Sequence, residues 1–180
     1  MQRILVIGSS GTGKSTLARK IAPKLGLPVI HLDQEYWQPG WVATEPAAWQ
    51  ARVERLVARE AWVMDGNYSG TFAIRVPRAE AIVWLDLPRH IYFRRAVWRI
   101  VQSYGRVRPD LAPGCPEKVD LEFLFKWVWT YPTRSRPRTL SLIESLRGRI
   151  PVVVLRTPGE VRAFVEGLPA TLVSRHAEAA

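Results

Sequence analysis

Ile4-Leu5-Val6-Ile7-Gly8-Ser9-Ser10-Gly11-Thr12-Gly13-Lys14-Ser15-Thr16 decides the reading of this 180-residue chain. A continuous aliphatic run closed by glycine marks a strand buried on both faces of a parallel sheet. Gly8 to Ser15 then matches G-x-x-x-x-G-K-S/T in full. A chance match in a chain of this length has a probability of roughly 0.6%, so the motif is read as a nucleotide site. Its spacing has a mechanism. Gly8, Gly11 and Gly13 permit positive φ and close approach of the backbone. The N–H groups of Ser9, Ser10, Thr12 and the helix opening at Lys14, Ser15 and Thr16 can cradle phosphate oxygens. Lys14 is placed to reach the β and γ phosphates of ATP, and the Ser15 hydroxyl to ligate Mg²⁺.

Outward from that stretch, strands and helices alternate. A helix is expected over 14–25, ended by Gly26 and Pro28, then a strand over 29–32 that stops at Asp33. Residues 34–45 read as a loop, and Thr44 as the N-cap of a helix running from 46 to about 60. Further strands are expected over 61–64, 81–85 and 151–155. Helices are expected over 88–104, 117–130, 137–146 and from Pro158, with the chain beyond Leu172 fraying. The alternation predicts a three-layer α/β/α sandwich on a five-stranded parallel sheet, the P-loop NTPase class. One domain spans 1–180. Residues 34–60 form an acceptor-side insert. Residues 105–138, rich in proline and arginine and without a strand, form a lid insert.

Composition limits the partners. The 26 basic residues exceed the 16 acidic ones for a net charge of +10, and only five of the basic residues are lysine. Arginine's planar fork suits phosphates, so an anionic partner is indicated, against the plainer reading of an arginine-biased composition. The apolar fraction of 47% and charged fraction of 23% exclude a disordered tail, a collagen or a coiled coil. No apolar run approaches the ~20 residues of a membrane helix, so no membrane partner is expected. Cys115 is the single cysteine, which excludes an internal disulfide and a C-x-x-C metal pair. A reducing cytoplasm and a monomer are the expectations.

Asp33, Asp65 and Asp86 each end an expected strand. A P-loop site needs a carboxylate near its metal. Asp65 is favoured, because Gly66-Asn67-Tyr68 lets the backbone turn tightly over a ligand, whereas Leu87-Pro88 and an arginine-rich helix follow Asp86. Asp33 would face the second substrate, where it could accept a hydroxyl proton as general base. Trp37 and Trp41, beside it, are candidates to line the acceptor pocket. His31 is read as a packing residue.

The P-loop, His31-Leu32-Asp33, Pro39-Gly40-Trp41, Asp65-Gly66-Asn67-Tyr68-Ser69-Gly70, Arg106 with Arg108-Pro109-Asp110, Gly114-Cys115-Pro116-Glu117-Lys118 and Arg134-Ser135-Arg136-Pro137-Arg138 together resemble the adenylate-kinase-like P-loop kinases. More closely, they resemble the bacterial DNA topology modulation protein family. The resemblance implies strand order 2-3-1-4-5, which sets the Asp65 strand beside the P-loop strand. It also implies an arginine lid over ATP. Arg95 and Arg99, four apart and so on one helix face, lead into that lid; Arg134, Arg136 and Arg138 lie where it returns. The chain departs from the monophosphate kinases after the third strand. Asn67 and Tyr68 replace their Phe-Pro-Arg, and Arg75 is the candidate substitute for that arginine at a different spacing. An AMP acceptor therefore does not transfer.

Nine arginines and two lysines face only four acids between residues 89 and 138. Two functions follow. The first is an ATP- and Mg²⁺-dependent kinase of a small molecule, nucleotides among the candidates, whose lid arginines repel one another until a triphosphate arrives. The second is a nucleotide-dependent DNA- or RNA-binding protein that affects DNA topology, gripping a backbone with arginines beside Trp98, Tyr104, Trp127 and Trp129. Most tryptophans, including Trp62, Trp84, Trp98, Trp127 and Trp129, are expected in the core.

Overall fold

A computed structural model describes residues 1–168. The expected fraying beyond Leu172 lies outside the described residues. In chain order the elements are β1 (Arg3–Gly8), α1 (Lys14–Leu25), β2 (Val29–His31), α2 (Leu32–Tyr36), β3 (Trp37–Gln38), β4 (Val42–Ala43), α3 (Pro46–Val57), β5 (Trp62–Asp65), α4 (Phe72–Arg75), β6 (Ala81–Leu85), α5 (Arg89–Ser103), a π-helical segment (Phe123–Trp129), α6 (Tyr131–Arg134), α7 (Arg136–Ser145), β7 (Val152–Leu155) and α8 (Pro158–Glu166).

The large sheet has the order β2-β5-β1-β6-β7, all parallel. Renumbered without the small β3-β4 hairpin, that is 2-3-1-4-5. Side chains alternate across it as the pleat requires. Ile4 and Val6 of β1, with Ala81, Val83 and Leu85 of β6, join one core under α1 and α8. Leu5, Ile7, Ile82 and Trp84 join the other, with α3 and residues of α7. Every one of these strand residues is buried, which is why the strands read as unbroken apolar runs.

Four local expectations change. Asp33 does not end β2; the strand stops at His31, and Asp33 lies in the first turn of α2. The expected 34–45 loop is α2 plus the antiparallel β3-β4 hairpin. Glu45, not Thr44, caps α3 by accepting from the Ala47 and Ala48 amides, because the Thr44 hydroxyl is already turned back to the Tyr36 carbonyl. The expected helix over 117–130 starts late, with the Asp120 carboxylate capping the Phe123 amide, and runs as a π-helix, a geometry concentrated at functional sites.

The tryptophans divide. Trp49, Trp62 and Trp84 are buried, but Trp98, Trp127 and Trp129 are exposed, at 60%, 50% and 43%. They belong to α5 and the π-helical segment, which pack on a separate apolar cluster through Tyr92, Leu124 and Val128 and turn these rings outward.

Candidate active site

The P-loop joins β1 to α1 at the C-terminal edge of the sheet, where open α/β sheets bind ligands. Gly11 has φ +81°, and a Cβ there would sit 2.1 Å from the Tyr92 carbonyl oxygen, so α5 and the loop approach as closely as only glycine allows. Gly13, at φ +95°, takes the left-handed cap position of α1. The Ser9 carbonyl draws the loop closed: it accepts from the Thr12 hydroxyl at 2.7 Å and from the Lys14 ammonium at 3.0 Å. Burial pulls the Lys14 pKa down, opposed by the negative charges of Asp33, Asp65 and Asp110. Thr16 is exposed on the first turn of α1.

Ser15 and Asp65 meet as expected: the Ser15 hydroxyl donates to Asp65 Oδ1 at 3.0 Å. The sheet register places His31 directly beside Asp65, and His31 Nδ1 hydrogen-bonds Asp65 Oδ2, orienting the carboxylate. His31 is thus a positioning residue that strand pattern alone disguised as packing. The hard oxygen donors of Ser15 and Asp65 fit magnesium.

On the acceptor side, Tyr68 donates its hydroxyl proton to Asp33 Oδ1 at 2.6 Å. Burial pushes the Asp33 carboxyl above its ordinary range, opposed by Tyr68 and Lys14. The Tyr68 ring packs on Tyr36 and Trp49, with centroids at 4.9 and 5.2 Å, and Tyr36 in turn on Trp37. Asn67 Oδ1 is buried and has no partner among the described residues.

Arg75 is placed differently from its sequence reading. It is wholly buried and donates to Thr71 Oγ1 at 2.9 Å and to the carbonyls of Gly66, Asn67 and Tyr68 at 3.1, 2.7 and 3.0 Å. Burial lowers its pKa to about 9. With its guanidinium committed to the 66–68 loop, it holds the site rather than meeting an acceptor.

The lid insert also divides. Residues 105–118 form a strap whose neck closes through Gly105 and Arg106 onto Glu117. The strap is fastened to the acceptor-side hairpin. The Gly40 amide donates to Gly114 O, the Trp41 indole to Pro116 O and the Cys115 thiol to Gln38 O. Trp41 therefore serves as a fastener. Within the strap, Arg108 pairs with Glu117 at 2.7 Å and with Asp110 at 3.1 Å; Arg99 reaches Glu117 at 3.5 Å and donates to the Ser10 hydroxyl at 3.3 Å. Burial raises the Asp110 carboxyl, but Arg108, Ser15 and Arg19 outweigh it and hold it low. Arg99 and Arg108 thus have buried acids as partners, which offsets part of the expected repulsion between these two.

Arg95 does not share Arg99's setting: it is exposed and makes no ion pair among the described residues. Arg134 stacks on the Trp127 ring at 4.0 Å. Arg136 grips Asp86 with two bonds of 2.8 Å, beside a cavity of about 340 Å³ also lined by Arg89, Tyr92, Tyr131 and Arg156. Neither Arg134 nor Arg136 contacts the P-loop in this state, and Asp86 is an anchor rather than a metal ligand. Asp110 and Glu117 carry no role in the sequence reading, because nothing local shows that Asp110 meets Arg19 or that Glu117 meets Arg99.

Fold and site together show a P-loop, kinase-like α/β/α fold. Residues 4–64 match the family model for the ATPase family associated with various cellular activities (AAA). Similar solved structures include shikimate kinase from Acinetobacter baumannii in complex with shikimate, at 17% identity and a TM-score of 0.62, covering 97% of this chain and 94% of that one. A gluconokinase from Sinorhizobium meliloti is 22% identical, with a TM-score of 0.54 and coverage of 98% and 97%. Deoxyadenosine kinase from M. mycoides is 14% identical, with a TM-score of 0.52 and coverage of 95% and 98%. No curated protein matches the chain in sequence. Among the described residues, no helix is long and apolar enough to cross a membrane.

Proposed function

We propose that the protein is an ATP- and Mg²⁺-dependent kinase that phosphorylates a hydroxyl of a small molecule, working in the cytoplasm. The observation that carries this reading is the convergence of three groups: the P-loop lysine, the Ser15–Asp65 pair and the Asp33–Tyr68 pair, with Lys14 within electrostatic reach of both aspartates. One side is built for a triphosphate, the other for a proton-bearing acceptor. The similar structures are named as kinases of shikimate, gluconate and deoxyadenosine, which supports an alcohol as acceptor.

Lys14 neutralises the β and γ oxygens. Ser15 and Asp65 would hold Mg²⁺, which supplies charge neutralisation between the phosphates. Asp33, held basic by its raised pKa, takes the proton of the acceptor hydroxyl as that oxygen bonds to the γ phosphorus and the bond to the ADP oxygen breaks. Arg99, which donates to Ser10, and Arg108, which shares Glu117 with it, would meet developing charge on the phosphates, and the strap would exclude water.

The test is ADP release measured over a panel of sugars, sugar acids, polyols and nucleosides. At least one alcohol should stimulate release manyfold. Lys14→Ala should abolish the stimulated rate, and Asp33→Asn should lower kcat for the acceptor reaction more than it alters ATP binding. Release that no alcohol stimulates, or that survives Lys14→Ala, refutes the reading.

A further inference from the structure

Of the large hydrophobic side chains exposed among the described residues, all but Met1 and Val42 lie between Val97 and Trp129. On α5, Val97, Trp98 and Val101 recur at the three- and four-residue spacing of one helix face, and Tyr104 follows at its C-cap. Leu121 and Phe125 do the same where the chain returns. Phe93 of α5 meets Phe125 and Trp129 at 5.9 and 5.1 Å, while Tyr104, at the other end of the same helix, bridges to Glu117. The two segments therefore run side by side in opposite directions and share one surface. Trp98, Val101 and Leu121 are 60%, 63% and 62% exposed. Together these side chains leave on the order of 600 Å² of apolar surface open, the upper end of what monomers tolerate.

The border of this face is cationic. Arg94 lies in the same row as Trp98 and Val101, and Arg106 follows the end of α5. Both are exposed, and neither side chain pairs with an acid among the described residues. Of the acids flanking Leu121, Glu122 is paired with Lys126, and Asp120 is partly buried and caps the Phe123 amide. An apolar centre with an uncompensated basic border is complementary to a surface that offers hydrocarbon beneath anionic groups. A second copy of the chain would set arginine against arginine. A nucleic acid would use the rings and the arginines, but would leave Val97, Val101 and Leu121 with nothing apolar to bury against.

We propose that this face docks on an anionic lipid bilayer, with Trp98, Val101, Leu121 and Phe125 at the acyl boundary and Arg94 and Arg106 at the headgroup phosphates. At 15 residues α5 is too short to cross the bilayer and would lie along it. The face uses none of the α5 residues that meet the P-loop, Tyr92 and Arg99, so it locates the enzyme without entering the reaction.

The experiment is co-sedimentation of the full chain with vesicles of pure phosphatidylcholine and with vesicles of equal parts phosphatidylcholine and phosphatidylglycerol. Binding is expected to the mixed vesicles only, with a blue shift of tryptophan fluorescence. The double variant Trp98→Ser/Leu121→Ser should bind at least tenfold more weakly at an unchanged melting temperature. Arg94→Gln/Arg106→Gln should weaken binding and flatten its salt dependence. Failure to bind the mixed vesicles, or equal binding by the double variant, overturns the proposal. So does binding to single-stranded DNA, or self-association in sedimentation equilibrium, that the same Trp98→Ser/Leu121→Ser variant abolishes in the absence of vesicle binding.

Discussion

Replacing Arg75 by Met would expose how the 66–68 loop is held. The side chain is buried completely, and three of its four hydrogen bonds go to consecutive backbone carbonyls, Gly66, Asn67 and Tyr68. Leaving each of three buried acceptors without this donor costs about 1–3 kcal/mol. Removing a desolvated cation, whose pKa burial has lowered to about 9, returns part of that. A net loss of about 3 kcal/mol follows, which for a domain of this size lowers the melting temperature by roughly 6–12 °C. Arg75→Lys should recover little of it, since one ammonium cannot span the carbonyls a fork reaches. Thermal and urea denaturation measure the loss. In the folded range the variant should also lose turnover, because Tyr68 (φ +25°, an unusual backbone for tyrosine) would no longer be held against Asp33. A variant that melts within about 2 °C of wild type but shows a raised acceptor KM would refute the reasoning and return Arg75 to the substrate.

Three further outcomes are expected. Glu117→Gln removes the shared partner of Arg99 and Arg108; it should cost about 2 kcal/mol, and a saturating ATP analogue should restore much of the lost melting temperature where AMP does not. Asp33→Asn should melt at least about 2 °C higher at pH 7. The folded carboxyl binds its proton more tightly than the unfolded one, so its contribution to stability is fully present below the ordinary carboxylate range and is lost as pH rises through the raised value; the gain from Asn should therefore vanish toward pH ~4, and a gain that persists there would contradict the burial argument. Asp65→Asn should lower turnover by at least about 10²-fold, whereas Asp86→Asn should lower melting temperature through the lost Arg136 pair and change turnover by less than about threefold. Steady-state rates at saturating Mg²⁺ decide between the two aspartates.

The sequence by itself determined the phosphate-binding end of this protein. A P-loop is local chemistry: Gly8, Gly11 and Gly13 at sites that need special backbone, with Lys14 and Ser15 at the helix start, all within eight residues. Sheet class was equally legible, because strands buried on both faces must be apolar throughout. The pairings that finish the site were decided only by tertiary structure. His31 reaches Asp65 through sheet register, Glu117 gathers Arg99 and Arg108 across a strap, and Asp86 takes Arg136 fifty positions away. Charge counting along 89–138 foresaw mutual repulsion because a count cannot show that Glu117 and Asp110 lie against Arg99 and Arg108. The expectation that Trp98, Trp127 and Trp129 lie in the core fails because burial depends on what covers a helix face, and Arg134 and Arg89 shield the Trp127 and Trp129 rings only in part. Local motifs carry information about groups that act within a turn of one another; a buried arginine and its carbonyls, or an arginine and its distant acid, become neighbours only when the chain has folded.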